Sequence, residues 1–173
     1  MKQLLLLRHA QAEPKPPLAD DFDRALSQVG RSQAAAVGLY LSAKALTPDH
    51  VVISGAKRAL ETWRIVAEML TDGASETIDD SLYSIAPAGL LFEVCRLPET
   101  AVCGLLVAHN PAMHALAAAL TGTSTDRAAT KQLKRDMPPA TLAILTFPVT
   151  RWQDIAPGGG QLIAFLTPEK ISG

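Results

Sequence analysis

The chain alternates between short apolar runs and segments in which apolar residues recur at helical spacing. Five runs have the length of strands: Gln3–Leu7, Val51–Ile53, Val102–Ala108, Ala140–Phe147 and Gln161–Leu166. Runs without polar interruptions are typical of strands that a sheet buries on both faces. Helical spacing and helix-terminating residues predict four helices: Ser27–Ala45, Ala59–Leu70, Pro87–Arg96 and Pro111–Gly122.

This alternation of strands and helices predicts an α/β fold. We expect a three-layer sandwich, in which a mostly parallel central sheet carries helices on both faces. The last two apolar runs are joined through glycines 158–160 without a helix, which predicts an antiparallel edge strand. Glu13–Asp23 is predicted to be a loop, and Thr123–Pro139 is polar with no clear period. Since no linker or repeat is visible, we expect residues 1–173 to form a single domain.

Composition narrows the function classes. A chain of 173 residues with 48% hydrophobic and 19% charged residues is not a disordered one. The net charge of −1 gives no electrostatic footprint for nucleic acid. Cys95 and Cys103 are too few for a disulfide scaffold and lack metal-ligand spacing. The first apolar run stops at Arg8, too soon for a signal peptide, and no run has membrane-spanning length, so we expect a cytoplasmic protein without a membrane partner.

Cationic or imidazole side chains follow three of the predicted strands. Arg8 and His9 follow the first strand, Arg58 comes one short turn after the second, and His109 and Asn110 follow the strand that ends at Ala108. Open α/β sheets bind ligands beyond the carboxyl ends of their strands, so these side chains are expected to meet at one rim. Each alone could be an ordinary surface or capping residue, but their joint placement favours a site.

Two guanidiniums and two imidazoles suit a compact dianion, most simply a phosphoryl group. Arginine offers forked donors that match phosphate oxygens. A histidine can attack phosphorus and hold it covalently, provided that its ring is neutral and its other nitrogen donates, usually to a backbone carbonyl. Fixed cations would stabilise the transferring oxygens, so we expect neither a metal nor a cofactor. Arg64, His50 and His114 are interpreted as solvated or structural residues.

The segments around these residues resemble those of a known family. Leu6-Leu7-Arg8-His9-Ala10 resembles the signature of the histidine phosphatase superfamily, also called phosphoglycerate-mutase-like, with Ala10 at a position that is usually glycine. The segments Ser54–Thr62 and Val107–Pro111 resemble the second-arginine and second-histidine segments of that family. Further stretches are similar to the small SixA-like phosphohistidine phosphatases: Asp23–Gly30, Leu82-Tyr83, Met137–Ala140 and Trp152–Pro168.

The resemblance implies a role for each matched residue. His9 would be the nucleophile that becomes phosphorylated, and Arg8, Arg58 and His109 would complete the phosphate pocket. Asn110 would orient His109 or contact a phosphate oxygen, or else cap the following helix. The implied activity is that of a phosphatase working through a phosphohistidine intermediate, most directly on protein phosphohistidine.

The proton donor found in larger family members has no clear match. That acid lies between the second strand and the second histidine, and the candidates in this interval are Asp79, Asp80 and Glu93. The loop after His9 offers further carboxyl groups at Glu13, Asp20, Asp21 and Asp23. The lack of a clear proton donor favours a P–N substrate, because a protonated imidazole leaves more readily than an alkoxide. The alternatives are a phosphatase of a small phosphomonoester or P–N metabolite, and a non-enzymatic phosphate- or phosphoprotein-binding module.

Little of the chain remains to cover such a site. The segments 13–23 and 123–139 are the only candidates for a lid, so we expect an open site that can take a phosphorylated protein. Lys131, Lys134 and Arg135 could steer an acidic partner, or could be ordinary solvated residues. Since His9 must be neutral to attack, activity is expected to fall on the acid side of neutrality, before about pH 4 is reached.

Overall fold

A computed structural model of the chain describes residues 1–15, 17, 20–71 and 73–171. These residues contain seven strands: β1 (Lys2–Arg8), β2 (His50–Ser54), β3 (Ser75–Asp79), β4 (Cys103–Ala108), β5 (Thr121–Ser124), β6 (Leu142–Phe147) and β7 (Gly160–Leu166). They also contain six α-helices: α1 (Gln28–Ala43), α2 (Lys57–Ala67), α3 (Pro87–Cys95), α4 (Ala112–Leu120), α5 (Arg127–Leu133) and α6 (Pro168–Ile171). Short 3-10 turns lie at Asp80–Tyr83 and Trp152–Asp154.

The seven strands form one sheet in the order β3-β2-β4-β1-β6-β7-β5. The pairs β1–β4, β2–β3, β2–β4 and β5–β7 are parallel, whereas β6 runs antiparallel to both β1 and β7. The predicted α/β sandwich with a mostly parallel sheet and antiparallel pairing by the closing strands is confirmed. The antiparallel strand is β6, and β7 and β5 continue the sheet beyond it.

The first strand shows why its sequence is uniformly apolar. Leu4 and Leu6 face one side and pack with residues of α3, α4 and α5, whereas Leu5 and Leu7 face the other side and pack with α1 and α2. All four leucines are completely buried. Burying one such side chain contributes about 2 kcal/mol, so this strand anchors both core layers and fixes the position of the residues that follow it.

Four of these strands and α-helices were not predicted from the sequence: β3, β5, α5 and the short α6. Strand β3 lies at the sheet edge and is mostly exposed, so it has no apolar run to reveal it. The polar segment after α4 forms β5 and α5, where Ala129 and Leu133 are buried against the core. The predicted helix end at Gly122 was wrong by two residues, because α4 passes directly into β5. A Cβ at Gly122 would lie 1.9 Å from the Gly158 carbonyl oxygen, so this glycine permits a close backbone approach.

The carboxyl ends of β1, β2 and β4 lie level with one another. Arg8 pairs with Ala108, and Ile53 pairs with Val107, so the residues that follow these strands emerge at the same rim. Of the predicted Glu13–Asp23 loop, residues 16, 18 and 19 lie outside the described residues. Within the described part of the chain, no helix combines the length and apolar character needed to cross a bilayer.

Candidate active site

The structure brings together the four residues that the sequence singles out. His9 follows β1, His109 follows β4, and Arg58 lies in the first turn of α2; their exposed fractions are 6%, 7% and 4%. The two imidazole rings are tilted against each other with centroids 4.9 Å apart. Arg8, the last residue of β1, is half-buried beside them. Two cations and two imidazoles therefore share one small, largely desolvated space.

The hydrogen bonds of His9 fix which ring nitrogen carries the proton. Nδ1 lies 2.7 Å from the carbonyl oxygen of Ala10, which can only accept. Arg58 Nε, which can only donate, lies 3.3 Å from Nε2 of the same ring. Nδ1 is thus the protonated nitrogen, and the lone pair of Nε2 faces the cationic pocket. This is the tautomer that a nucleophilic histidine requires.

Thr62, one turn after Arg58, connects α2 to the segment that follows β1. Its Oγ1 donates to the Arg58 carbonyl oxygen at 2.6 Å and accepts from the backbone N–H of Ala10 at 3.0 Å. Ala10 is completely buried, and its carbonyl is the one that orients His9. Because the hydroxyl bridges the backbones on both sides, the distance between the imidazole and the guanidinium is held by one short polar link.

His109 is held through the other ring nitrogen. Its Nε2 lies 2.7 Å from Ser54 Oγ, which itself accepts a long hydrogen bond from the Ala56 N–H at 3.4 Å. Ser54 Oγ can donate its proton to Nε2, and in that arrangement His109 carries its own proton on Nδ1. That nitrogen is buried and has no partner among the described residues. A donor in this position is suited to bind an oxygen of a ligand.

Burial and positive charge keep both imidazoles neutral. Burial, reinforced by His109 and the two arginines and opposed by the Ala10 hydrogen bond, lowers the pKa of His9 to about 3. Burial and the same two arginines lower the pKa of His109 to about 4. Burial and the charge of Arg58 also lower the pKa of Arg8. A bound dianion would offset the repulsion between these positive charges, so the pocket is suited to bind one.

The segment before β6 closes the pocket from the other side. The carbonyl oxygen of Met137 accepts from Arg8 Nη1 and from Asn110 Nδ2, each at 2.9 Å. Arg8 Nε and Asn110 Oδ1 are buried without a partner among the described residues. Asn110 therefore faces the pocket wall and does not cap α4, whose N-cap residue is Pro111 and has no side-chain capping bond.

Of the carboxyl groups considered as proton donors, one makes hydrogen bonds to the pocket. Asp21 accepts from Arg58 through its backbone oxygen at 2.6 Å and through Oδ2 at 3.0 Å, and Tyr83 donates to the same Oδ2 at 2.9 Å. Burial works to raise the pKa of Asp21, but the Tyr83 hydrogen bond and the charges of Arg58 and Arg24 outweigh it and hold that pKa below its ordinary value.

The other carboxyl candidates are engaged or exposed elsewhere. Asp79 caps the 3-10 turn that follows it, Asp20 accepts from the Phe22 N–H, and Glu93 on α3 lies 3.5 Å from Arg96. Glu13, Asp23 and Asp80 are exposed. No group of three or more His, Cys, Asp or Glu residues in the described ranges is arranged to hold a metal ion.

Some residues of the site were missed from the sequence. The Tyr83 ring packs edge-on against His109 at 5.6 Å, and the Arg58 guanidinium lies 5.5 Å from its centre. Phe22 also contacts Tyr83, with the two ring centroids 5.2 Å apart. Tyr83 and Thr62 both lie in segments that resemble the family, and this was the available signal for them. Met137–Ala140 also resembles the family, but the Met137 carbonyl could not be singled out, because any residue type supplies the same oxygen.

Comparison with known proteins agrees with this geometry. A family model described as histidine phosphatase superfamily (branch 1) matches residues 4–84. An uncharacterised protein of Mycobacterium tuberculosis is 31% identical over 163 residues, which cover 94% of this chain and 99% of that protein.

Two similar solved structures are assigned as SixA phosphohistidine phosphatases. The one from Agrobacterium tumefaciens is 26% identical with a TM-score of 0.82, over 96% of this chain and 98% of that chain. The one from Nakamurella multipartitia is 29% identical with a TM-score of 0.82, over 96% of each chain. This chain accordingly belongs to the histidine phosphatase superfamily, as a SixA-like phosphatase of the histidine-nucleophile type.

Proposed function

We propose that this protein removes phosphoryl groups from phosphohistidine side chains of other proteins, through a covalent intermediate on His9 and without a metal ion. In the first step, the lone pair of His9 Nε2 attacks phosphorus, and the P–N bond of the substrate breaks with its electron pair going to the departing ring nitrogen. In the second step, water attacks the phosphorylated His9, the new P–N bond breaks, and inorganic phosphate leaves.

The pocket residues divide the remaining work. Arg8, Arg58 and the Nδ1 proton of His109 would bind the phosphoryl oxygens and stabilise the charge that they carry in the transition state. Asn110 would support Arg8 through their shared acceptor, the Met137 carbonyl. The Ala10 carbonyl would keep the proton of His9 on Nδ1 while Nε2 gains and loses phosphorus.

The observation that carries the choice of substrate is the bonding of the Asp21 carboxylate, which accepts from Arg58 and from Tyr83. Asp21 is the candidate acid that hydrogen-bonds to the pocket, and its pKa lies below its ordinary value, so at neutral pH it has no proton to give to an alkoxide. A phosphohistidine does not need that proton, since its ring can bring its own. The pocket therefore suits a P–N bond better than an alkyl phosphate ester.

The surroundings support a macromolecular substrate. Asp21, Arg8 and Tyr83 are partly exposed, so one side of the pocket is open to solvent. Lys131, Lys134 and Arg135 are exposed on α5 and just after it, close in sequence to the Met137 wall, and could steer an acidic partner. Two similar structures carry the name phosphohistidine phosphatase. The continuous sheet supports treating residues 1–173 as one domain.

The test measures phosphate release from a phosphohistidine-carrying protein and from an aryl phosphomonoester, with a metal chelator present. We expect a clear preference for the phosphoprotein, no effect of the chelator, and at least about a 10³-fold loss in His9→Ala, because a nucleophile has no substitute. His50→Ala, on the surface of β2, is the matched control and should retain full activity. Turnover of the aryl ester alone would indicate a small-molecule phosphatase, and phosphate binding without turnover would indicate a binding module.

A further inference from the structure

The carboxylate of Asp21 lies beyond Arg58 as seen from His9. Arg58 Nε faces the His9 ring at 3.3 Å, while its two terminal nitrogens donate to the backbone oxygen and to Oδ2 of Asp21. These bonds engage three of the five N–H donors that a guanidinium carries. The Arg58 guanidinium thus contacts the attacking nitrogen of His9 through Nε and the carboxylate of Asp21 through a terminal nitrogen.

An in-line displacement places the leaving group on the side of phosphorus opposite to the attacking nitrogen. With the phosphoryl group held beside Nε2, that side is the open mouth of the pocket. Asp21, Tyr83 and Phe22 form one wall of this mouth, because Tyr83 bonds to Asp21 and its ring contacts both Phe22 and His109. The leaving group therefore meets an anion and two aromatic rings.

One oxygen of Asp21 remains able to accept a ligand hydrogen bond. Oδ2 is engaged by Arg58 and Tyr83. Oδ1 lies 3.0 Å from Arg24 Nε, yet that nitrogen has no hydrogen-bond acceptor among the described residues, so the contact is an ion pair without a directed bond. Arg24 offsets part of the charge of Asp21 and leaves the lone pairs of Oδ1 available.

Resting on the proposed function, we propose that Asp21 and the ring of Tyr83 form a leaving-group subsite that selects a protonated imidazole over an oxygen leaving group. The substrate ring would carry a proton on the nitrogen that is not bonded to phosphorus, and Asp21 Oδ1 accepts a hydrogen bond from it. When the P–N bond breaks, the electron pair stays on the departing nitrogen and a neutral imidazole leaves. Asp21 itself neither gains nor loses a proton.

Two physical effects produce the selection. A carboxylate stabilises an adjacent cationic ring and keeps it protonated. The same carboxylate repels the negative charge that develops on the oxygen of an aryl or alkyl ester as it leaves. Asp21 thus acts on the two substrate classes with opposite sign, which a residue that merely holds Arg58 in place would not do.

The experiment compares phosphoimidazole with an aryl phosphate as small probes, so that protein docking plays no part. In Asp21→Asn, which preserves shape and removes charge, we expect the ratio of kcat/KM for phosphoimidazole to kcat/KM for the aryl ester to fall roughly tenfold. Asp21→Glu should recover part of the ratio. Asp23→Asn, an exposed neighbour in the same loop, should leave it unchanged.

The possible results separate this inference from the proposal beneath it. An equal loss on both probes would mean that Asp21 only positions Arg58, and a larger loss on the aryl ester would mean that it is a general acid; either result overturns the subsite while His9 chemistry stands. A wild type that hydrolyses only the aryl ester overturns the proposed function and the subsite with it. Thermal unfolding of each variant checks that the fold is intact.

Discussion

The two histidines of the pocket come from neighbouring parallel strands and are both buried, yet their rings are held in opposite ways. His9 donates from Nδ1 to a backbone carbonyl and presents the lone pair of Nε2 to Arg58. His109 is held at Nε2 by the Ser54 hydroxyl, and its Nδ1 has no partner among the described residues. One ring is prepared to attack and the other to bind an oxygen. The two imidazoles are buried to nearly the same extent, yet they are not equivalent. The hydrogen-bond partner that holds each ring decides its role.

Replacing each histidine in turn should produce the largest contrast. In His9→Ala we expect no phosphoenzyme and at least about a 10³-fold loss of turnover. In His109→Ala we expect about a 10²-fold loss, the usual cost of one transition-state donor, with a phosphoenzyme still formed. The measurement is a rapid quench with radiolabelled substrate, followed by a test for an acid-labile protein label. A label that persists in His9→Ala and vanishes in His109→Ala would reverse the two assignments.

The proton affinity of His9 offers a second contrast, between the folded and the unfolded chain. The sequence alone suggests that activity declines in the ordinary histidine range, whereas burial and the nearby cations lower the pKa of folded His9 to about 3. Because an unfolded histidine titrates near about 6.5, the folded protein binds fewer protons in the window between these values and loses stability as the pH falls through it.

This titration can be followed directly by NMR of the imidazole C–H groups. We expect the His9 signal to stay in its neutral position down to about pH 4, so that no loss of activity above that pH arises from the nucleophile. His9→Ala identifies the signal by its disappearance. A midpoint near pH 6 for His9 would contradict the neutral, desolvated ring described here.

The smallest expected effect tests the support behind His109. Ser54→Ala removes the hydroxyl that fixes Nε2, so the proton can move between the two ring nitrogens and the donor at Nδ1 is lost part of the time. We expect kcat/KM to fall about tenfold, in line with one hydrogen bond of ordinary strength, while KM changes little. Ser81→Ala, at an exposed position in the 3-10 turn, serves as the control. A normal rate in Ser54→Ala would show that His109 does not depend on this anchor.

The strand ends could be predicted because their signal is local. A strand buried on both faces must be apolar throughout, so the change from Leu7 to Arg8 and from Ala108 to His109 marks the rim. The edge strand β3 and the strand β5 carry no such signal, since their residues are largely exposed. The exposure of an edge strand depends on what the rest of the chain leaves uncovered.

Asp21 and Tyr83 illustrate what a single sequence does not contain. None of the seven carboxyl groups was a clear match for the proton donor, because a loop carboxylate has no periodicity and its direction is set by contacts far along the chain. Asp21 is brought to Arg58 by tertiary structure, and Tyr83 reaches it from a turn 62 residues away in sequence. The types of residue in the pocket were predictable, whereas the hydrogen-bond partners that give each one its role were not.

Because β6 runs antiparallel to β1, the segment before β6 lies at the same rim of the sheet as the pocket. Strands β1, β2 and β4 end at the rim, whereas β6 begins there. Met137 and Ala140, which precede β6, therefore lie against the ends of the other strands. The Ala140 N–H lies within 3.1 Å of the carbonyl oxygens of Arg8 and His9, and the Met137 carbonyl binds Arg8 and Asn110 together. This one incoming segment is therefore bonded to residues on both sides of the pocket, so the placement of Arg8 and that of Asn110 depend on the same stretch of backbone.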